Sequence, residues 1–113
     1  MTITFEVRNG TCLLALTGEF DRANVGELAG TIEECLANAS SIALDFQAVT
    51  FVDGGVLSLL HEVLESLEGE GWLAVARPTP FMRRLLGIAG LPARKNFRLF
   101  STMKETLEAI DRG

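Results

Sequence analysis

Tyrosine is absent from this chain of 113 residues, histidine occurs once and cysteine twice. With His61 as the only imidazole, any metal site or proton relay that depends on histidine has a single candidate. Cys12 and Cys35 stand far apart with no CxxC pair, so they read as two small buried hydrophobes in a reducing compartment. No run approaches the ~18 continuous apolar residues of a membrane span. The opening MTITFEVRNG lacks a basic stretch followed by an apolar segment and cleavage site. A cytoplasmic location without membrane insertion is the resulting expectation. Lys and Arg number ten against fifteen Asp and Glu, for a net charge of -5. So few clustered cations argue against a nucleic-acid partner, and the acidity leans toward basic ones. Spread over a whole domain, that charge bears more on solubility than on recognition. Neither GxxxxGK[ST] nor GxGxxG stands at a strand-to-helix junction, so no nucleotide cradle and no cofactor are expected.

What is present is enough for one core. At this length about two thirds of the unfolded surface can be buried, and 48% of the residues are apolar, so residues 1–113 read as a single domain. Ile3, Phe5 and Val7 alternate with polar residues, and after Asn9 and Gly10 the run CLLALTG returns at hairpin spacing. Behind Asp21, a candidate N-cap, Val25, Leu28, Ile32, Cys35 and Leu36 recur at helical intervals up to about Asn38. SIALDF is a short buried strand, and QAVTFVD a turn with a strand-like tail. A second helix follows from about Gly55 to Leu67.

WLAVA is a nearly continuous apolar run, the pattern of a strand covered on both faces. Thr79 caps a third helix to Ile88, stopped by Gly90 and Pro92; Arg94 to Phe100 gives a final strand; Ser101 opens a last helix with Met103, Leu107 and Ile110 as its stripe. Strands alternating with helices after an initial hairpin predict an α/β fold, a sheet of mixed direction with helices packed on it.

FVDGGVL is the most informative segment, because a buried-strand pattern runs through Asp53, Gly54 and Gly55 straight into a helix. A helix start leaves N–H groups unpaired beside about half a positive charge, which suits an anion. Two plainer roles compete: the glycines allow tight backbone geometry, and Asp53 caps the helix, a contribution of ~1 kcal/mol. Neither excludes a binding surface in the same place. On that helix Ser58, His61, Glu62 and Glu65 share a polar side, as a serine, base and acid cluster would. A solvated helix face gives the same spacing, and no GxSxG turn or oxyanion loop accompanies it, so nucleophilic catalysis is not expected. In RPTPFMRRLLGIAGL, Arg83 and Arg84 are read as the solvated side, with Phe81, Met82, Leu85, Leu86 and Ile88 supplying a buried side or a shallow contact surface.

Taken in order, LTGEFDRANVGEL, SIALDFQAVTFVDGGVLSLL and FMRRLLGIAGL make the whole chain resemble the STAS domain of anti-sigma factor antagonists, a module also found in sulphate transporters. The resemblance implies a regulator that binds a kinase-like anti-sigma factor and is switched off when that kinase phosphorylates a junction serine. The family's Asp-Ser-Ser-Gly-Leu aligns with Asp53, Gly54, Gly55, Val56 and Leu57, so Gly55 stands at the acceptor position and carries no hydroxyl. A phosphate there would add about -1.5 to -2 charges; this chain lacks that switch. Asp21 matches the acid after the family's Gly-Glu. The implied partner surface comprises Asp21, Asp53, Gly54, Gly55, Val56 and Ser58. Ser58 is a poor substitute acceptor, displaced ~4.5 Å along the helix axis from position 55. The alternative is a STAS module of another signalling assembly or of a lipid-transport complex.

Overall fold

The computed structural model describes residues 1–112. Strand β1 (Thr2–Arg8) turns back into β2 (Thr11–Phe20) as an antiparallel hairpin. The turn is made by Asn9 and Gly10, both at positive φ. From there the chain alternates: α1 (Val25–Leu36), β3 (Ser41–Val52), α2 (Gly54–Ser66), β4 (Leu73–Ala76), α3 (Pro80–Ile88), a 3₁₀ turn (Leu91–Ala93), β5 (Phe97–Phe100) and α4 (Met103–Arg112). The five strands lie in the order β1-β2-β3-β4-β5, and every pair after the hairpin is parallel. The α/β reading with an initial hairpin is what the structure shows.

Each parallel strand is followed by a helix that returns over the sheet, so the larger core lies between the sheet and the stripes of α1, α2 and α3. Leu28, Ile32, Val56, Leu60, Met82 and Leu86 meet Leu14, Leu44, Phe46 and Val75 there. Helix α4 covers part of the opposite face, where Ile110 packs with Ala43, Trp72 and Ala74. Gly71 is required between α2 and β4, because a Cβ there would run into the Ser40 backbone carbonyl.

Four local expectations change. SIALDF and the segment after it form one unbroken strand, because β2 runs alongside through two register shifts, between Ala15 and Thr17 and between Gly18 and Glu19. These bulges absorb the extra residues that looked like a turn. The last helix is capped by Thr102 rather than Ser101: its hydroxyl accepts from the Glu105 N–H at 3.1 Å and donates to the Glu105 carboxylate at 3.1 Å. Its buried residues are Thr106, Ala109 and Ile110, with Leu107 half-buried beside them. Finally, Cys12 and Cys35 are not separate thiols. Packing α1 on β2 sets their Cα atoms 5.8 Å apart, within the bridging range, and the two are joined as a disulfide.

Candidate functional site

The site lies where the carboxyl ends of β2 and β3 deliver the chain to α1 and α2. Asp53 is the residue that joins the two connections. It is the N-cap of α2, with Oδ1 accepting from the N–H of Gly55 at 2.9 Å and of Val56 at 3.3 Å. Its other oxygen, Oδ2, accepts from the Arg22 N–H at 2.9 Å, across the gap to the β2–α1 turn. The positive end of α2 is therefore already occupied by the chain's own carboxylate, and the open anion site suggested by the sequence is filled from within.

Asp21 does not cap α1 through its side chain at a helix starting with Arg22. Its Oδ1 accepts from the Ala23 N–H at 2.9 Å, its own N–H donates to Asn24 Oδ1 at 2.8 Å, and Asn24 Nδ2 donates to the Glu19 carbonyl at 2.9 Å. This short-range polar turn spends the residues that would have formed a first helical turn, so α1 begins at Val25 behind Asn24. Asn24 and Arg22, which order this turn, were not singled out in the sequence. The only signal for them was an Asp-x-x-Asn spacing of a turn-forming type.

Gly54 is exposed, and Gly55 and Asp53 are half-buried, so the bend is reachable from outside. A Cβ at Gly54 would meet nothing within 4 Å, and one at Gly55 would meet only Asp53 Oδ1, at 3.2 Å. Neither glycine is at positive φ. Tight backbone geometry is thus not the reason for them. Ser58 is exposed one turn further on. Val56 is corrected: its side chain, 1% exposed, points into the core and cannot meet a partner.

His61 is not on a solvated face beside Ser58. Its Nε2 lies 2.7 Å from the Ala89 carbonyl, and Arg94 approaches Nδ1 at 3.0 Å. Since Arg94 can only donate, Nδ1 is the acceptor and Nε2 carries the proton. Nε2 thus ties α2 to the end of α3, and Nδ1 ties it to Arg94 beyond the 3₁₀ turn. Among the described residues, no group of three or more His, Cys, Asp or Glu side chains could hold a metal ion, and no helix is long and apolar enough to cross a membrane. A concavity of about 520 Å³ lies at the other end of the helices, by Leu36, Ser40, Ser66 and Leu67, away from Asp53.

The chain is 30% identical to the anti-sigma-F factor antagonist RsfB of Mycobacterium tuberculosis over all of its own length and 92% of the relative's. An anti-sigma factor antagonist from Mycobacterium paratuberculosis superposes with a TM-score of 0.85 at 27% identity, covering 97% of this chain and 93% of that one. SpoIIAA in its unphosphorylated form superposes at 0.75 with 20% identity, over 97% and 98% of the two chains, which speaks for the fold alone. Residues 3–99 match the family model described as Mlab, STAS domain, and with five strands, four helices and the β3–α2 junction in place, the chain belongs to the STAS domain family.

Proposed function

We propose that this STAS protein is a non-catalytic antagonist that binds a kinase-like anti-sigma factor through the Asp21–Asn24 turn, Asp53, Gly54, Gly55 and Ser58. Holding that partner frees a sigma factor for transcription. Full-length similarity to a relative named as an anti-sigma-F factor antagonist supports the class of partner. One observation supports this surface: Asp53 hydrogen-bonds to both connections and Gly54 beside it is exposed. Pre-ordered loops bind without a further ordering cost.

Because Gly55 has no hydroxyl, the partner's kinase activity has nothing to modify at the family's acceptor position, and binding persists in the presence of ATP. The test is calorimetry with the purified anti-sigma factor of the source organism, followed by incubation with labelled ATP. Binding with no incorporated label is expected. Stoichiometric labelling, or absence of any complex, would refute the reading.

A further inference from the structure

We infer that the exposed flank of α3, formed by Phe81, Arg84 and Ile88 with half-buried Leu85 among them, is the second half of this partner surface and takes an acidic, apolar-tipped segment of the anti-sigma factor. The inference rests on the antagonist reading above and extends the surface beyond the α2 amino end.

Phe81 is 58% exposed and Ile88 78%, whereas Met82 and Leu86 of the same helix are buried. Phe81, Leu85 and Ile88 follow at intervals of four and three, so they share one flank. That flank borders α2. Arg83, on the opposite side of the helix, donates to the Ser101 hydroxyl at 3.0 Å near the end of β5, while His61 of α2 meets the Ala89 carbonyl on the Leu85 side. Since β3 and β4 are parallel neighbours, the amino ends of α2 and α3 emerge at the same edge of the sheet. The contact of His61 with Ala89 relates the two helices, and Gly54 lies seven residues before the first and Phe81 eight before the second, so at ~1.5 Å per residue both stand toward the amino ends, ~10–12 Å from that contact. Phe51, also 45% exposed, does not join this surface: it pairs with Glu19, and alternation turns it to the other face from Val52.

Size and charge select the occupant. A stable protein complex covers roughly 800 Å² per partner, or about 20 to 30 residues, far more than a bend and one polar turn supply. The adjoining apolar surface that can extend it is this flank. No acid occurs between Glu70 and Glu105, a stretch that holds Arg77, Arg83, Arg84, Arg94, Lys95, Arg98 and Lys104. Arg77 is paired with Asp45, Arg94 meets His61 and Glu65, and Arg98 lies over the Trp72 ring. Arg84 has no side-chain hydrogen bond or ion pair among the described residues, and it stands on the outer side of the Phe81–Ile88 row. A carboxylate on the partner answers it, with apolar side chains beside that carboxylate.

The test compares intact wild-type protein with Phe81→Ser/Ile88→Ser and with Arg84→Glu, by calorimetry against the anti-sigma factor of the source organism. Circular dichroism confirms that each variant is folded. A loss of roughly 10- to 100-fold in affinity for the double variant is expected, as for exposed aromatic anchors. Arg84→Glu should weaken binding most at low salt, where the lost pairing is least screened. Unchanged affinity in both variants, with Asp53→Ala weakened, overturns the extension and leaves the antagonist reading standing. Failure of the wild type to bind overturns both. A wild-type dimer by light scattering that Phe81→Ser/Ile88→Ser converts to monomer also overturns it, by assigning the flank to a second copy.

Discussion

The carboxylate of Asp53 reaches from the head of α2 to the backbone N–H of Arg22, 2.9 Å away, while its other oxygen caps the helix at Gly55 and Val56. One side chain thus sets the shape of both connections at this edge. Asp53→Ala should lower unfolding free energy by about 1–2 kcal/mol, the range for a lost N-cap, and should loosen the β2–α1 turn. Asp53→Asn keeps an oxygen for the cap and should recover most of that loss. Urea denaturation of the three proteins checks the order. Equal stability of wild type and Asp53→Ala would show that the cap and bridge contribute nothing.

Gly55→Ser should fold as the wild type does, since the added Cβ needs only a few tenths of an ångström from Asp53 Oδ1 and Ser has the better helix propensity by about 0.5 kcal/mol. This change supplies the missing hydroxyl. With a kinase-like anti-sigma factor and ATP, the variant should gain one phosphate by intact-mass measurement and then lose affinity. A variant that is folded and bound, yet never phosphorylated, would separate this junction from the family's acceptor geometry.

Arg77 follows the end of β4 at φ +54° and is paired through two contacts with Asp45 of β3, one from Nε at 3.1 Å. The hydrogen bond to Asp45 holds its pKa above the usual arginine value, against the opposing effect of burial. A cation whose folded pKa is raised contributes stability that is complete below its unfolded pKa and lost only as pH rises through the folded one. For arginine that window lies far above neutral pH, so the arginine's own titration leaves stability unaffected across the neutral range. Arg77→Ala loses the pair and retains the unfavourable backbone angle; Arg77→Gly loses the pair alone. The glycine variant should therefore be more stable by roughly 1 kcal/mol, as thermal unfolding will show.

His61→Ala should cost about 1–2 kcal/mol, because it strands the Ala89 carbonyl and removes one of Arg94's two partners. Ser58→Ala, at an exposed position, should change stability by less than about 0.5 kcal/mol. Nitrogen chemical shifts of the imidazole should report the proton on Nε2. A proton on Nδ1 would contradict the assigned contact with Arg94.

The elements that could be read from residues are those whose own spacing carries the signal. The stripe of Leu28, Ile32 and Cys35, the Thr79 cap accepting from Met82, and Gly90 at φ +79° after α3 all behave as local pattern requires. Local pattern also placed Asp53 at the head of a helix and showed that the two residues after it lack hydroxyls. It could not reveal the Asp53–Arg22 contact, which spans 31 residues, nor the meeting of Cys12 with Cys35. Both depend on which strands become neighbours.

The same division holds for the helix surfaces. Helical periodicity offered Phe81 and Ile88 as either core or contact surface, and offered His61 as a solvated residue; burying α3 through Met82 and Leu86 left the first two outside, and contacts with Ala89 and Arg94 engaged the histidine. Sequence alone determined an α/β chain with a hydroxyl-free junction, because backbone propensity and side-chain chemistry are properties of the residues themselves. Which groups share an edge, which are buried and which carboxylate fills a helix end were decided by the tertiary structure, since those depend on distances that exist only once the sheet has assembled.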